Sequence, residues 1–173
     1  FDIEGLGQEI INTFIKEGFI KDQADIFKLY IHKSELEKMN GFGEKSINNL
    51  LDAIEKSRNI DLSKLIYSLG IPEVGEATSR NLAVSFLTFE AVKNASFEKL
   101  IGVEDIGSKV AANIITFFKS KDMNHIIDKL LPELSINKLD VLSRAEMPLK
   151  DILIVLTGKL AMFSRDEIKE NLI

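Results

Sequence analysis

Apolar residues recur at the spacing of one helix face over most of the chain. The clearest cases are residues 47–54 and 111–118, where apolar positions follow the order i, i+3, i+4 and i+7. Before residue 131, no stretch alternates apolar and polar residues as a half-buried strand would. The pattern predicts an all-α region over residues 1–131, with shorter helices at 24–30, 34–39, 62–69, 88–95 and 96–101. Predicted N-caps are Ser34, Thr88 and Asp122, whose side-chain oxygens can accept hydrogen bonds from first-turn amides.

A short glycine-containing segment occurs four times, each time just before a helical pattern. Residues 39–47 read MNGFGEKSI, and the related segments are IEGLGQEII at 3–11, IPEVGEATS at 71–79 and VEDIGSKVA at 103–111. Their second glycine recurs at separations of 36, 32 and 32 residues, at Gly7, Gly43, Gly75 and Gly107. Such regular spacing indicates an internal repeat. We predict four copies of a unit made of a helix, a tight hairpin and a second helix.

The glycines of a hairpin have a physical use that other residues lack. Glycine adopts positive φ without strain and leaves the backbone uncovered. The exposed amides of the loop and of the next helical turn would then point to one electropositive spot, which suits a phosphate. A tight turn between packed helices, with no ligand, is the simpler alternative. One apolar residue per hairpin is predicted to turn into the core and anchor the loop: Leu6, Phe42, Val74 or Ile106.

Composition and charge narrow the range of functions. The chain has 173 residues, 45% of them hydrophobic, so it can bury a substantial core. Its net charge of −5 argues mildly against a polyanionic partner, although basic residues gathered on one face could still bind one. There is no cysteine, and His32 and His125 are far apart, so we predict no metal site. Without an 18-residue apolar run or a signal peptide, we expect a cytoplasmic protein with no membrane contact.

The four hairpins together resemble the tandem helix-hairpin-helix domain of bacterial NAD-dependent DNA ligases. The resemblance covers residues 1 to about 131 and includes GFGEKSINNLLDAIEKSR at 41–58 and LGIPEVGEAT at 69–78. In that family the repeats bind double-stranded DNA around a nick, on its minor-groove side and without reading sequence. Hydrogen bonds to phosphates fix position and do not select a base. The resemblance therefore implies a nucleoid-associated DNA-binding domain that serves DNA replication and repair.

The family's motif can be carried over residue by residue. The pairs Gly5/Gly7 and Gly41/Gly43 match it in full, which makes them the best candidates for phosphate contact. The third and fourth hairpins keep only the second glycine, at Gly75 and Gly107. There Glu73 and Asp105 replace the first glycine, and their carboxylates would repel a phosphate unless they turned away. Three basic residues that follow the second glycine are candidate charge partners, although each could be an ordinary solvated helix residue: Lys45, Arg80 and Lys109.

The end of the chain has a different character. Residues 132–149 show no clear period and contain Pro148, which indicates a linker. Residues 151–160 form a continuous apolar run typical of a strand buried on both faces, and a capped helical segment follows. This βα segment resembles the start of a BRCT-type domain, so residues 150–173 are predicted to be a truncated part of one. Thr157 and Gly158 match positions that bind phosphopeptide in some BRCT domains but are expected here to serve the turn.

The resemblance also implies a longer parent enzyme. That enzyme would pass AMP from NAD, through an active-site lysine, to the 5′-phosphate of a nick and seal the nick with magnesium. Its NAD, magnesium and zinc would be bound by upstream catalytic and cysteine-containing domains of the same polypeptide. This sequence contains no Lys-x-Asp-Gly, so we predict that the chain alone binds no cofactor and has no catalytic activity. Two alternatives are a helical protein-interaction module, favoured by the acidic balance, and the helix-hairpin-helix part of another DNA repair protein.

Overall fold

The structure is a computed structural model, and it describes residues 1–137. Most of these residues are helical. None of their helices is long and apolar enough to cross a bilayer. The predicted βα segment at 150–173 lies outside the described residues. The helices are α1 (Gln8–Lys16), α2 (Gln23–Ile26), α3 (Lys33–Leu36), α4 (Glu44–Ser57), α5 (Leu62–Ser68), α6 (Glu76–Phe86), α7 (Phe89–Lys93), α8 (Phe97–Ile101), α9 (Ser108–Lys119) and α10 (Lys121–Leu130). Two 3₁₀ helices (Leu29–His32 and Leu131–Glu133) and the strands β1 (Asn59–Asp61) and β2 (Ser135–Asn137) complete them.

The apolar faces predicted from the sequence meet in one hydrophobic core. Leu51 and Ile115, the outer members of the two clearest patterns, pack against this core from its edge. Burying one such aliphatic side chain contributes about 1.5–3 kcal/mol. The two longest helices are therefore held along one face, which fixes the loops that precede them. The buried positions are Ile47, Leu50 and Ile54 on α4 and Ala111, Ile114 and Phe118 on α9.

The helix caps agree with the sequence in one case of three. The Thr88 hydroxyl accepts a hydrogen bond from the Ala91 amide at 3.2 Å and caps α7, as predicted. The prediction for Ser34 is wrong, because a 3₁₀ helix runs directly into α3 and places Ser34 inside it. The prediction for Asp122 is also wrong, because α10 begins earlier and is capped by Ser120. The sequence thus identified the cap of α7, placed that of α10 two residues too late, and predicted a side-chain cap for α3, which has none.

Two short parallel strands correct the prediction that residues 1–131 are entirely α-helical. β1 connects α4 to α5 and pairs in parallel with β2, with Ile60 opposite Ile136. Asn137 Nδ2 also donates to Asp61 Oδ1 at 2.8 Å across the pair. A three-residue strand is too short to show an alternating pattern in the sequence. Residues 132–137, which begin the predicted linker, thus form a 3₁₀ turn and a strand on the helical region.

Arg58, at the end of α4, joins this helix to two distant parts of the chain. Its guanidinium donates to the Phe27 carbonyl at 2.7 Å, to Glu133 Oε2 at 2.7 Å and to Glu55 Oε2 at 2.6 Å. It also lies over the Phe27 ring, 5.4 Å from the centroid. Burial alone lowers the pKa of Arg58, but the hydrogen bonds that it donates to Glu133 and Glu55 outweigh this effect and raise the pKa. The guanidinium is therefore fully charged, and it holds the segments around Phe27 and Glu133 against the end of α4.

A second long-range contact joins the start of α2 to α10. Lys129 Nζ donates to Asp22 Oδ2 at 2.9 Å, and the other oxygen of Asp22 accepts from the Ala24 amide at 3.0 Å. Burial alone raises the pKa of the Asp22 carboxyl, but the hydrogen bonds from Lys129 and Ala24 outweigh it, so the pKa lies below its ordinary value of 3.8. The same bond raises the pKa of Lys129. The pair ties the first quarter of the chain to α10.

The Asp22–Lys129 pair predicts a specific dependence of stability on pH. A carboxyl whose pKa is lower in the folded than in the unfolded chain stabilises the fold above the unfolded pKa, and this is lost as pH falls through the folded pKa. We expect the free energy of unfolding to fall between about pH 5 and pH 2. Asp22→Asn keeps a side chain able to cap α2 and should cost about 1 kcal/mol at pH 7.

Chemical denaturation at a series of pH values measures this prediction. The Asp22→Asn variant should show a shallower loss of stability in acid than the unmodified chain. Asp128→Asn is the matched control, because Asp128 is an exposed acid that only approaches Lys93 at 3.8 Å. Equal acid sensitivity of the Asp22→Asn variant and the unmodified chain would contradict the assignment.

Candidate nucleic-acid interface

The same four-residue turn occurs four times, once before each of α1, α4, α6 and α9. In each, an amide donates to a carbonyl three residues earlier, at 3.0–3.2 Å. The third residue of each turn has positive φ: 80° at Gly5, 87° at Gly41, 66° at Glu73 and 62° at Asp105. Positive φ at this position is the mark of a type II turn, in which glycine is preferred. The turn bonds run from Leu6 to Ile3, Phe42 to Met39, Val74 to Ile71 and Ile106 to Val103.

The fourth residue of each turn is apolar and faces inward. Val74 and Ile106 are buried, with 6% and 5% of their surface exposed. Leu6 and Phe42 are half-buried and pack against the core, where the Phe42 ring lies 5.4 Å from that of Phe14. The prediction that these residues anchor the loops is confirmed. Each turn is thus fixed from inside and presents its backbone outward.

The second glycine of each turn starts the following helix in an ordinary extended conformation. Gly7, Gly43, Gly75 and Gly107 are the N-caps, with φ between −77° and −137°. At each of them, the space where a Cβ would stand has no atom within 4 Å. Other residues could therefore occupy these positions without strain or clash. The glycines have no side chain to cover the backbone at the N-terminus of each helix. At Gly43 the hydroxyl of Ser46 contacts this backbone, accepting from the Gly43 amide at 3.0 Å and donating to the Gly43 carbonyl at 2.9 Å.

Acidic side chains accompany these helix starts. Glu44 and Glu76 are the first residues of α4 and α6, and Glu9 lies in the first turn of α1. Each acid interacts favourably with the helix dipole, which is an ordinary stabilising arrangement. The first turn of α9 carries no acid. The four helix starts therefore have similar backbones and different charges.

The three predicted basic residues are all exposed but differ in their partners. Arg80 Nη2 lies 3.3 Å from Glu76 Oε1, one turn away on α6. Lys109 forms an ion pair with Glu73 of the preceding hairpin. Lys45, in contrast, has no ion pair within residues 1–137. Of the three cations, Lys45 alone has its charge unopposed by a contacting carboxylate in that part of the chain.

The third and fourth hairpins are joined by a reciprocal pair of side-chain hydrogen bonds. Asn81 on α6 donates to the Glu104 carbonyl at 3.1 Å, and Asn113 on α9 donates to the Pro72 carbonyl at 3.2 Å. Each asparagine stands six residues after the second glycine of its own hairpin. The carbonyl that it contacts belongs to the residue three positions before the second glycine of the other hairpin. The two bonds are therefore equivalent and relate the hairpins by an approximate two-fold axis. We call this pair the asparagine clasp.

The carboxylates that replace the first glycine are turned toward neighbouring side chains. Glu73 pairs with Lys109, and Asp105 Oδ2 lies 3.4 Å from Asn81 Nδ2. The sequence alone predicted neither contact, and it missed both asparagines of the clasp. Their signal was present, because Asn49, Asn81 and Asn113 all stand six residues after a second glycine.

The first and second hairpins meet differently. A Cβ on Gly5 would lie 3.9 Å from Leu50 Cδ1, so the first turn sits against α4. Asn49 forms no side-chain hydrogen bond within residues 1–137, although it occupies the repeat position of the clasp. An open groove of about 830 Å³ runs here, lined in part by Gly5, Ser46 and Asn49. Among the described residues, no cluster of three or more acidic, histidine or cysteine side chains could hold a metal ion.

Comparison with known proteins supports this geometry. A family model described as the helix-hairpin-helix motif matches residues 64–127, which contain the third and fourth hairpins. Over 171 residues, 99% of this chain, the sequence is 40% identical to a DNA ligase of Clostridium novyi. It is 39% identical to a DNA ligase of Thermosipho africanus over 170 residues and 37% identical to one of Finegoldia magna over 171 residues.

The chain therefore aligns with a segment of these DNA ligases. It covers 98% or more of its own length in these matches but only 25–26% of the length of each relative. The helix-hairpin-helix region lies within that segment. The segment contains no cysteine and, in its described part, no metal-binding cluster.

Removal of the asparagine clasp should destabilise the third and fourth hairpins. Asn81→Ala and Asn113→Ala each remove a hydrogen bond to a carbonyl, which costs about 1 kcal/mol. Asn81→Ala also removes the 3.4 Å contact with Asp105 Oδ2. Alanine also raises helix propensity and offsets part of this loss. Asn49→Ala is the matched control, because it has the same propensity gain without a clasp bond.

Denaturation and amide hydrogen exchange measure the effect of these substitutions. Both clasp variants should be less stable than the Asn49→Ala variant, and the amides of Val74 and Ile106 should exchange faster. Equal stability of all three variants would contradict a structural role for the clasp.

Proposed function

We propose that this chain binds double-stranded DNA at a nick through the backbone of four helix-hairpin-helix units, as part of an NAD-dependent DNA ligase. The observation that carries the proposal is the second glycine of each turn. The fold requires no glycine at Gly7, Gly43, Gly75 or Gly107, since φ is ordinary and the space is open. All four positions nevertheless have glycine.

Helix capping does not account for these glycines. Asn, Asp and Ser are better N-caps than glycine, because their side chains accept a hydrogen bond from the first-turn amides. Such a side chain would also occupy the amides and cover the backbone. Glycine offers no such acceptor, so it leaves the N–H groups of the first helical turn free at the positive end of the helix dipole. At the second hairpin the amide of Gly43 itself donates to Ser46 Oγ, and the donors are those of the turn that follows. A phosphate oxygen is the natural acceptor for such a group of donors.

The arrangement also favours contact without sequence selection. Backbone amides that bind phosphates read the position of the DNA backbone and not the identity of a base. Four such positions held on one core could follow a length of duplex. We infer that the segment grips the DNA on its minor-groove side while other domains of the polypeptide act on the nick.

The larger setting is part of the same proposal. The upstream catalytic domains would bind NAD, magnesium and zinc and carry out nick sealing in replication and repair. Residues 150–173 would begin a BRCT-type domain, joined to the helical region by residues 138–149. DNA binding would place the protein at the nucleoid. The homology to DNA ligases over 98–99% of this chain supports this setting.

The acids at the hairpins favour a second candidate, a protein-interaction module. Glu44 and Glu76 stand at the first helical position beside the second glycine, and the whole chain has a net charge of −5. These charges oppose a polyanion and suit a basic protein surface. In that case the glycines would serve close packing of a partner backbone. The two functions differ in their response to an alanine on the turn and to salt.

Gly43→Ala tests whether bare backbone contacts DNA. The added methyl meets no atom of the chain, so the free energy of unfolding should change by less than about 1 kcal/mol. Affinity of the full 173-residue chain for a nicked duplex should fall about tenfold, since a phosphate bond to the turn is blocked. Gly102→Ala is the control, because Gly102 also has ordinary φ but lies outside the turn.

Fluorescence anisotropy with nicked, intact and sequence-scrambled duplexes measures this affinity. The logarithm of affinity should fall with the logarithm of salt concentration by about 0.9 for each phosphate contacted. Scrambling the sequence should leave affinity unchanged. No binding to any duplex at low salt, or equal affinity of the Gly43→Ala and Gly102→Ala variants, would argue for the protein-interaction module.

A further inference from the structure

The four hairpins form two pairs with the same repeat positions and different charges. Lys45 in the second hairpin and Lys109 in the fourth both stand two residues after the second glycine. In the preceding hairpin of each pair, the position of the first glycine is occupied by Gly5 in one pair and by Glu73 in the other. Gly5 has no side chain, so the pair of hairpins one and two has no carboxylate where the later pair has one.

In the later pair, this carboxylate contacts the lysine directly. Glu73 and Lys109 form an ion pair between the third and fourth hairpins, with side chains 46% and 78% exposed. The two-fold equivalent of this contact would join Asp105 to residue 77, which is alanine. The ion pair therefore occurs once across the approximate axis. It does not belong to the reciprocal clasp that holds the hairpins together.

Glu73 occupies a position that disfavours glutamate. Its φ of 66° lies in the left-handed region, which costs a non-glycine residue about 1–2 kcal/mol. Aspartate, as at Asp105, is more tolerant of this conformation. An exposed ion pair contributes about 0–1 kcal/mol, which does not offset the cost. The contact with Lys109 is thus a poor device for stability alone.

We propose that Glu73 is an exchangeable counter-ion that tunes DNA binding by the fourth hairpin. In the free chain it pairs with the ammonium of Lys109, which is the second residue of α9. A DNA phosphate that reaches the amides at the start of α9 would take the place of the carboxylate on Lys109. The fourth hairpin then binds more weakly than one with an unopposed lysine, while Lys45 is available without exchange. This inference rests on the proposed DNA binding.

A double-mutant cycle tests the exchange with the full chain and a nicked duplex. Glu73→Gln keeps size and backbone preference and frees Lys109, so affinity should rise about two- to fivefold. Lys109→Gln should weaken binding little in the unmodified chain and clearly more in the Glu73→Gln background. Additive effects would overturn the proposal, because a carboxylate acting only by general repulsion needs no lysine at position 109.

Asp105→Asn is the matched control. It removes a carboxylate at the same turn position of the fourth hairpin, where the structure shows an asparagine contact and no lysine. Its effect on affinity should be additive with that of Lys109→Gln. Coupling equal to that of Glu73 would show that the contact is not specific and would overturn the proposal.

The outcomes separate this inference from the proposed function. If the unmodified chain binds the duplex and Glu73→Gln leaves affinity unchanged or weaker, the exchange is wrong and DNA binding stands. If neither protein binds at low salt, DNA binding and the exchange both fail. Thermal denaturation of each variant gives an independent readout, because an exposed pair should change stability by about 1 kcal/mol or less.

Discussion

The positive φ at the third residue of each turn is the constraint on which the hairpins depend. It reverses the chain within four residues and sends the next residue inward, while the following glycine opens a helix outward. Gly5 and Gly41 adopt this conformation without cost, but Glu73 and Asp105 do so against their preference. The third and fourth turns therefore need support from outside, which the asparagine clasp supplies. One backbone requirement thus explains both the repeat and the difference between its halves.

Local turns alone do not set the four hairpins relative to one another. Besides the asparagine clasp, contacts between distant parts of the chain contribute, among them those of Arg58 with Phe27 and Glu133 and of Asp22 with Lys129. The parallel pairing of β1 with β2 reinforces the first of these. Both contacts use the segment after α9, which returns to the start of the chain. The last described residues are therefore part of the helical region and not a passive connection.

Much of the fold could be predicted from the sequence because it depends on patterns among residues that are close together in the chain. Helical spacing, the repeat of 36, 32 and 32 residues and the inward apolar residue all follow from neighbouring positions. The β1–β2 pair, the Arg58 contacts and the Glu73–Lys109 pair could not, because each joins residues whose proximity only the tertiary fold creates. The clasp lies between these cases. Its asparagines recur at a fixed offset, but their acceptors are carbonyls, which leave no trace in a sequence.

A chain with a net charge of −5 can bind DNA only if the contact surface does not share the average charge. Here the donors would be amides at four helix starts, whose partial charges do not appear in a count of side chains. The side-chain cations contribute unequal positive charge to this surface, since Lys45 contacts no carboxylate within residues 1–137 whereas Arg80 and Lys109 do. Such a surface would hold a duplex chiefly through hydrogen bonds from correctly placed backbone amides. Affinity could then be adjusted at single ion pairs without loss of the backbone contacts that position the DNA.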